Sequence, residues 1–260
     1  WIDPVQMAAI RRTFDAADLT EAVGGSRVTA TVLVQVLNQP DETDELLDIA
    51  SASSLVTGVI GWSDVRRLDL AEQIDRLRRR GPLVGIRHQL QAEAAPAQWL
   101  QRRDVGDGLR RLADTGLVFD LMIRPEQFDV AVDVVRSHPD LTFVLDHLGK
   151  PRIDSGLLEP WASGLQRLAH EPNVVAKLSG LVSVADRQTW AVEDLRPYVD
   201  VALNAFGASR LMFGSDWPVC LVAAGYAAVI GAVEALVADL TPGERHDIWA
   251  ATARRVYSLG

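Results

Sequence analysis

The strongest constraint on the fold is a repeated alternation of short apolar runs with amphipathic segments. Seven apolar runs are rich in strand-forming residues, and each is followed by a helical pattern. The repeat recurs about every 30 residues, as βα units do. The predicted strands are 28–36, 56–62, 83–86, 117–123, 141–145, 174–178 and 211–213. Because these runs have no alternating polar face, they predict a parallel sheet that is buried on both sides.

The predicted helices lie between and after these strands, and they share apolar residues along one face. They are 41–50, 69–80, 105–114, 125–137, 157–169, 192–206, 222–240 and 244–257, with a loop and one short helix expected in 1–21. A doubly wound sheet and a closed barrel both fit this alternation. No Gly-x-Gly-x-x-Gly follows the first strand, which disfavours a dinucleotide-binding fold.

We therefore predict a single (β/α)8 TIM-barrel domain over residues 1–260, close to the typical length of about 250 residues. No linker or change of composition marks a domain boundary. Seven strands are one fewer than this fold needs, so we expect the first strand to be missing or incomplete at the N-terminus. The missing unit would precede residue 28 or residue 1.

Composition limits the classes of partner. The formal net charge of -9 argues against nucleic acid, because phosphate binding needs clustered Lys and Arg. No apolar run approaches the ~20 residues of a membrane span. The single cysteine, Cys220, leaves no internal disulfide, and we expect a cytoplasmic protein. The oligomeric state is left open.

Polar residues gather where the predicted strands end, and in both candidate folds this edge of the sheet carries function. His147 and Asp216 are the main candidates. An Asp there can also cap a helix, and a lone His is often structural. At two strand ends of one barrel, however, they can bind a divalent metal or hold and deprotonate a water. The other polar or aromatic residues at this edge are Gln35, Trp62, Asp64, Arg87, His88, Arg124, Asp146, Lys150, Lys177, Ser179 and Trp217.

Lys177 has two interpretations. A buried lysine can serve as a Schiff-base nucleophile. We favour an ion pair inside the barrel with Asp146 or Asp216, since buried charges are normally paired.

Six segments, in this order along the chain, resemble the amidohydrolase-related metal-dependent hydrolases of the TIM-barrel type. They are similar in particular to the sugar-lactonase branch, L-fuconolactonase and L-rhamnono-lactonase. In that family Asp216 would match the catalytic Asp of the last strand and His147 the His of the sixth strand. The segments are Val-Leu-Val-Gln, Gly-Val-Ile-Gly-Trp-Ser-Asp, Gly-Ile-Arg-His, Phe-Val-Leu-Asp-His-Leu-Gly-Lys-Pro, Lys-Leu-Ser-Gly and Met-Phe-Gly-Ser-Asp-Trp-Pro-Val-Cys.

The resemblance implies hydrolysis of a small aldonolactone by a water that Asp216 activates with the help of His147. These two residues would also be ligands of a divalent ion, with zinc expected, although metal-independent catalysis stays open. Gln35, His88, Arg124 and Lys150 would bind substrate hydroxyls, and Trp62 or Trp217 would cover the apolar face of the sugar. Alternatives are a pyrone dicarboxylate lactonase, a metal-dependent decarboxylase or a non-catalytic barrel.

One departure concerns the first strand of the family, which carries a His-x-His pair. No such pair occurs in this sequence. Trp1 resembles the loop that follows that pair, so we expect either that the pair lies upstream or that half of the site is absent.

Overall fold

The protein is described by a computed structural model that covers Asp3 and residues 7–260. Trp1, and with it the expected loop, lies outside the described residues. Seven parallel strands form one sheet in which each strand pairs with the next along the chain. They are β1 Thr31–Val34, β2 Val56–Gly61, β3 Leu83–His88, β4 Val118–Leu121, β5 Phe143–Leu145, β6 Val174–Leu178 and β7 Leu211–Phe213. The predicted α/β class and strand number are confirmed.

Helices connect successive strands and cover the outside of the sheet. The helices are α1 Ala16–Val23, α2 Pro40–Ala52, α3 Leu70–Arg80, α4 Pro96–Leu100, α5 Arg103–Ala113, α6 Phe128–Arg136, α7 Trp161–Ala169, α8 Leu181–Val184, α9 Val192–Phe206, α10 Tyr226–Leu236, α11 Pro242–His246 and α12 Thr252–Val256. Within the described part of the chain, no helix is long and apolar enough to cross a membrane.

The barrel is open between its first and last strands. In the described residues β1 pairs only with β2, and β7 pairs only with β6. All four residues of β1 are half-buried, whereas β4, β5 and β6 are buried throughout. Among the residues that the structure describes, the sheet therefore has the curvature of a TIM barrel and seven strands, as the sequence pattern predicts.

Several predicted boundaries are wrong; β1, for example, covers Thr31–Val34 rather than 28–36. β3 extends to His88 rather than residue 86, because Arg87 and His88 continue the pairing with β4. The helix predicted over 222–240 begins only at Tyr226, after Gly225. The last helix, predicted over 244–257, is divided into α11, a π-helical turn at Asp247–Ala251 and α12.

Strand alternation divides the core into an outer and an inner part. The larger outer cluster packs the sheet against the helices. The inner cluster lies inside the barrel, and Tyr257 joins it from the segment after α12. Its buried members are Ile60, Val118, Val144, Val175, Met212 and Tyr257. The lower half of the barrel interior is thus filled by side chains, and polar chemistry is confined to the carboxyl ends of the strands.

Candidate active site

Two side chains from distant parts of the chain meet at the carboxyl end of the barrel. His147 follows β5 and Asp216 follows β7, and the His147 Nε2 atom lies 3.7 Å from the Asp216 Oδ1 atom. The two side chains are 11% and 14% exposed, so both remain accessible from the barrel mouth. This separation is too long for a direct hydrogen bond and leaves room for one small species to contact both groups.

Both residues occupy backbone conformations that side chains other than glycine rarely adopt. The φ angles are 53° at His147 and 56° at Asp216, and Leu148 and Lys150 in the same turn have φ of 51° and 54°. Each such residue costs about 1–2 kcal/mol relative to a right-handed conformation. Left-handed residues of this kind cluster at functional sites, where the surrounding structure holds them in place.

The segment directly after β6 contacts both His147 and Asp216. Ser179 Oγ lies 2.8 Å from His147 Nδ1, which orients the ring and leaves Nε2 directed toward Asp216. Ser183 Oγ donates to Asp216 Oδ2 at 3.3 Å. Between them is Gly180, with φ of 67°, where a Cβ atom would lie 2.7 Å from His147 Nδ1 and 3.2 Å from Asp216 Oδ2. Glycine is therefore required there for both its conformation and its size.

Burial sets the protonation state of the imidazole. It lowers the pKa of His147 below its ordinary value, and the neighbouring Asp216 and Asp146 carboxylates oppose this only in part. The imidazole is therefore neutral at pH 7, and its Nε2 can serve as a hydrogen-bond partner or a ligand.

A layer of four buried charges lies directly beneath the pair. Lys177 contacts both Asp120 and Asp146, and its Nζ lies 2.7 Å from Asp146 Oδ1. Arg87 Nη1 donates to Asp146 Oδ2 at 2.8 Å. Burial opposes the charge of Lys177, but the two carboxylates outweigh it and raise the pKa of Lys177 above its usual value. The predicted ion pair with Asp146 is confirmed, its second carboxylate is Asp120 rather than Asp216, and a charged lysine is unsuited to Schiff-base chemistry.

Lys150 interacts electrostatically with Asp216 and with Arg124. Burial lowers the pKa of Lys150, while the Asp216 carboxylate raises it and the Arg124 guanidinium lowers it further. Lys150 is half-buried and Arg124 is exposed. Lys150 therefore adds positive charge beside His147 and Asp216, and Arg124 adds positive charge beside Lys150.

His88 lies in a separate cluster on the same rim. Because neighbouring strand residues point to opposite sides, Arg87 enters the barrel and His88 points out of it. Its ring stacks on Trp99 with 4.0 Å between centroids. The Trp62 indole donates to Nδ1 at 3.1 Å, which fixes the proton on Nε2, 2.8 Å from Glu93 Oε1. Both ring nitrogens are thus engaged within the protein.

Gln35 and Trp217 lie at different depths. Gln35 is fully buried and donates from Nε2 to the Arg87 carbonyl at 2.9 Å, while its Oε1 has no partner among the described residues. Trp217 is half-buried and packs edge-on against Phe14, with 5.2 Å between ring centroids.

Three residues of this region were not predicted from the sequence: Asp120, Ser183 and Tyr257. The position of Asp120 could have been predicted from the sequence. It is the lone charge in the apolar strand Val-Phe-Asp-Leu, two residues after an inward-facing valine. The hydroxyl of Tyr257 lies 3.3 Å from the Asp120 carboxylate. Nothing in the local sequence links it to a residue 137 positions away.

The donor set fits a metal ion only in part. Zinc bonds to His nitrogen and carboxylate oxygen are about 2.0–2.2 Å long, so atoms 3.7 Å apart can reach one ion. A catalytic zinc site uses three protein ligands. Within residues 7–260 and Asp3, no group of three or more His, Cys, Asp or Glu side chains converges. His147 and Asp216 therefore supply two ligands and do not form a complete zinc site by themselves.

Known proteins with similar sequences share this architecture. The family described as Amidohydrolase matches residues 3–259. An L-fucono-1,5-lactonase of Burkholderia multivorans is 37% identical over 97% of this chain and 88% of that protein. An L-fucono-1,5-lactonase of Burkholderia ambifaria is 37% identical over 85% of this chain and 75% of that protein.

A solved structure extends the similarity to three dimensions. The crystal structure of an amidohydrolase from Burkholderia multivorans with bound zinc superimposes with a TM-score of 0.95 at 36% sequence identity. The match covers 100% of this chain and 93% of that chain. The family match, the identity to these relatives and the common barrel agree, and this chain belongs to the amidohydrolase family of hydrolases.

Proposed function

We propose that this protein hydrolyses the ring ester of a small sugar lactone, with a 1,5-aldonolactone as the substrate class. The observation that carries the proposal is the approach of His147 Nε2 to within 3.7 Å of Asp216 Oδ1 at the barrel mouth. The two relatives named L-fucono-1,5-lactonase support the choice of substrate.

In this mechanism Asp216 is the general base. It removes a proton from a water held between it and His147, and the water oxygen bonds to the lactone carbonyl carbon. The bond from that carbon to the ring oxygen then breaks, and Asp216 returns the proton to the ring oxygen. The products are a carboxylic acid, which ionises in solution, and a free hydroxyl group. Each turnover therefore releases one proton to the medium.

Cations near Asp216 would stabilise the negative charge that develops on the carbonyl oxygen. Lys150 interacts with Asp216 and with Arg124, and preorganised charges of this kind commonly contribute a large share of the catalysis. We assign substrate binding to these two residues and to Trp217. We assign a structural role in the pocket wall to Gln35, Trp62 and His88, because their polar atoms are hydrogen-bonded within the protein or buried.

We also propose that His147 and Asp216 contribute to the binding of a divalent ion, for which zinc is the candidate. The zinc-bound relative supports this. A Lewis acid at this position would polarise the lactone carbonyl. A cytoplasmic location and the absence of a nucleic-acid partner are proposals that rest on the single cysteine and the net charge of -9.

The pyrone dicarboxylate alternative is less favoured by the geometry. A dicarboxylate needs several cationic clamps. Arg87, Arg124 and Lys150 are cations at the carboxyl ends of the strands that could serve as clamps. The guanidinium of Arg87, however, is bonded to Asp146 and to the Gln35 carbonyl inside the barrel, which leaves Lys150 and Arg124.

The test of this function is acid release from a panel of aldonolactones by the wild type and by Asp216→Asn. We expect the variant to lower kcat by at least ~100-fold, because a general base contributes that much. Asp140→Asn, which removes an exposed carboxylate before β5, is the matched control and should retain activity. Near-normal turnover in Asp216→Asn would refute the assignment of the base.

A further inference from the structure

The barrel interior is built in levels that follow the two-residue period of the strands. On β4, Val118 is apolar and Asp120 is charged. On β6, Val175 is apolar, Lys177 is charged, and Ser179 lies two residues further on, at the mouth. The charged level therefore lies between the apolar filling and the residues that contact His147.

The charged level is balanced and almost completely closed to solvent. Its two carboxylates, Asp120 and Asp146, are 0% exposed, while Arg87 is 5% and Lys177 is 8% exposed. Two cations and two anions cancel, and each carboxylate contacts at least one cation. Buried ion pairs are weak sources of stability compared with apolar side chains of similar volume. A contribution to folding stability is therefore a poor explanation for four buried charges inside the barrel.

Asp146 has a special position in this level. Its Oδ2 accepts a hydrogen bond from Arg87 at 2.8 Å, whereas its Oδ1 forms an ion pair with Lys177 Nζ at 2.7 Å and has no hydrogen-bond partner among the described residues. It is also the residue directly before His147, where the left-handed turn begins. Its carboxylate is thus fixed by β3 and β6 while its backbone leads into the turn that carries the imidazole.

We propose that Arg87 and Lys177 are positioning residues that act through Asp146 to hold His147 in its left-handed conformation opposite Asp216. The assignment of a catalytic effect rests on the proposed lactone hydrolysis. Asp120, which contacts Lys177 from β4 and has no bond to the His147 turn, balances the charge of Lys177 without taking part in the positioning.

The test compares Asp146→Asn with Asp120→Asn, two substitutions that remove the same charge at the same burial beside the same lysine. Both variants are expected to unfold at lower temperature than the wild type. Only Asp146→Asn should lower kcat, by about 10- to 100-fold with KM within threefold, since misplacement of a catalytic group by about 1 Å has this effect. Asp120→Asn should keep kcat within threefold. Equal losses of kcat in the two variants would overturn the proposal.

A second measurement does not depend on turnover. The protein contains five histidines, so its imidazole carbon–proton correlations in an NMR spectrum are few, and His147→Gln identifies the His147 signal. That signal should be sharp in the wild type and in Asp120→Asn, and shifted or broadened in Asp146→Asn. An unchanged signal in Asp146→Asn would overturn the proposal even if no lactone is turned over by the wild type. A wild type without lactonase activity but with the expected spectra would instead refute only the proposed function.

If Asp146→Asn does not fold, Arg87→Lys provides the same comparison. It keeps the positive charge but cannot bond simultaneously to Asp146 and to the Gln35 carbonyl. The same drop in kcat and the same change in the His147 signal are expected. A spectrum and a kcat equal to those of the wild type would contradict the positioning role.

Discussion

Gly180 lies directly beside His147 and Asp216, the proposed catalytic pair. Its missing side chain lets His147 and Asp216 approach over the backbone, and its φ of 67° turns the chain after β6. Ser179 on one side contacts His147, and Ser183 on the other contacts Asp216. A single position without a side chain thus determines how close the imidazole and the carboxylate can come.

Gly180→Ala should therefore damage the site more than the fold. We expect kcat to fall by at least ~10-fold, because a Cβ 2.7 Å from His147 Nδ1 must displace the ring. The control is Gly156→Ala, where φ is 68° and nothing lies within 4 Å of the new Cβ. Both should lose about 1 kcal/mol or more in the free energy of unfolding from left-handed strain. Equal activity of the two variants would show that the close contact is unimportant.

His88 is a residue whose proton is controlled by its neighbours. Burial lowers the pKa of His88, although Glu93 raises it in part. A histidine with a lowered pKa in the folded state stabilises the fold above its ordinary pKa of about 6.5 and loses that contribution as the pH falls below it. The free energy of unfolding should therefore decrease on acidification from pH 7 to pH 5.

His88→Gln should make that decrease smaller, by up to about 1.4 kcal/mol per pH unit. The measurement is denaturant unfolding at a series of pH values, followed by tryptophan fluorescence. His170→Gln, which changes an exposed histidine, should leave the slope as it is in the wild type. If His88→Gln also leaves it unchanged, the lowered pKa assigned to buried His88 is wrong.

Among the elements, α6 and α7 pack against the outside of the turn that carries His147. The ring of Phe128, at the start of α6, fills the space over Gly149 in the turn and over Gly164 in α7. A Cβ on Gly149 would lie 2.3 Å from this ring, and one on Gly164 would lie 2.2 Å from it. The turn that carries His147 is thus packed between a charged level inside the barrel and an aromatic ring outside it.

Gly164→Ala should destabilise the protein even though alanine is the better helix former. Overlap with the Phe128 ring costs about 1–3 kcal/mol, which exceeds the gain of about 1 kcal/mol in helix propensity. Gly231→Ala in α10 is the control, since nothing lies within 4 Å of its Cβ, and it should stabilise by about 0.5–1 kcal/mol. Thermal unfolding measures both. Stabilisation by both substitutions would contradict the packing argument.

At the level of the complete barrel, the end of the chain closes the interior from the amino side of the sheet. Tyr257 packs with Ile60, Val118 and Val144, and its hydroxyl reaches the Asp120 carboxylate. Burial, together with the charge of Asp120, raises the pKa of Tyr257, so the phenol stays protonated and donates. The segment after α12 thereby joins the apolar level to the charged level.

Two substitutions separate these contributions. Tyr257→Phe should cost about 1 kcal/mol in the free energy of unfolding, since it removes one hydrogen bond and keeps the ring. Tyr257→Ala should cost about 3–5 kcal/mol, as large-to-small changes of buried aromatic residues do. Denaturant unfolding gives both values. A cost for Tyr257→Ala no larger than for Tyr257→Phe would show that the ring does not fill the barrel.

Local sequence was sufficient for the seven strands and their order, although it missed the short helices α4 and α8. The apolar runs at 174–178 and 211–213 coincide with β6 and β7, and the helix at 192–206 coincides with α9. Signals of this kind lie within one segment, because burial on both faces needs an uninterrupted apolar run. Since the carboxyl ends of parallel strands share one edge, the same reasoning predicted that His147 and Asp216 would meet, and they do.

The pairing of the buried charges depended on the folded barrel. Arg87 and His88 are neighbours at one predicted strand end, and only His88 was predicted to bind substrate. Strand alternation sends Arg87 into the charged level and His88 out to Trp99. Asp120, rather than Asp216, shares Lys177, because β4 and β6 curve toward each other across the interior. A run of apolar residues shows that a strand is buried. It does not show which side of the sheet each charged side chain occupies or which charge it faces. Those two features follow from the curvature of the sheet and the register of its strands, which form only when all strands assemble.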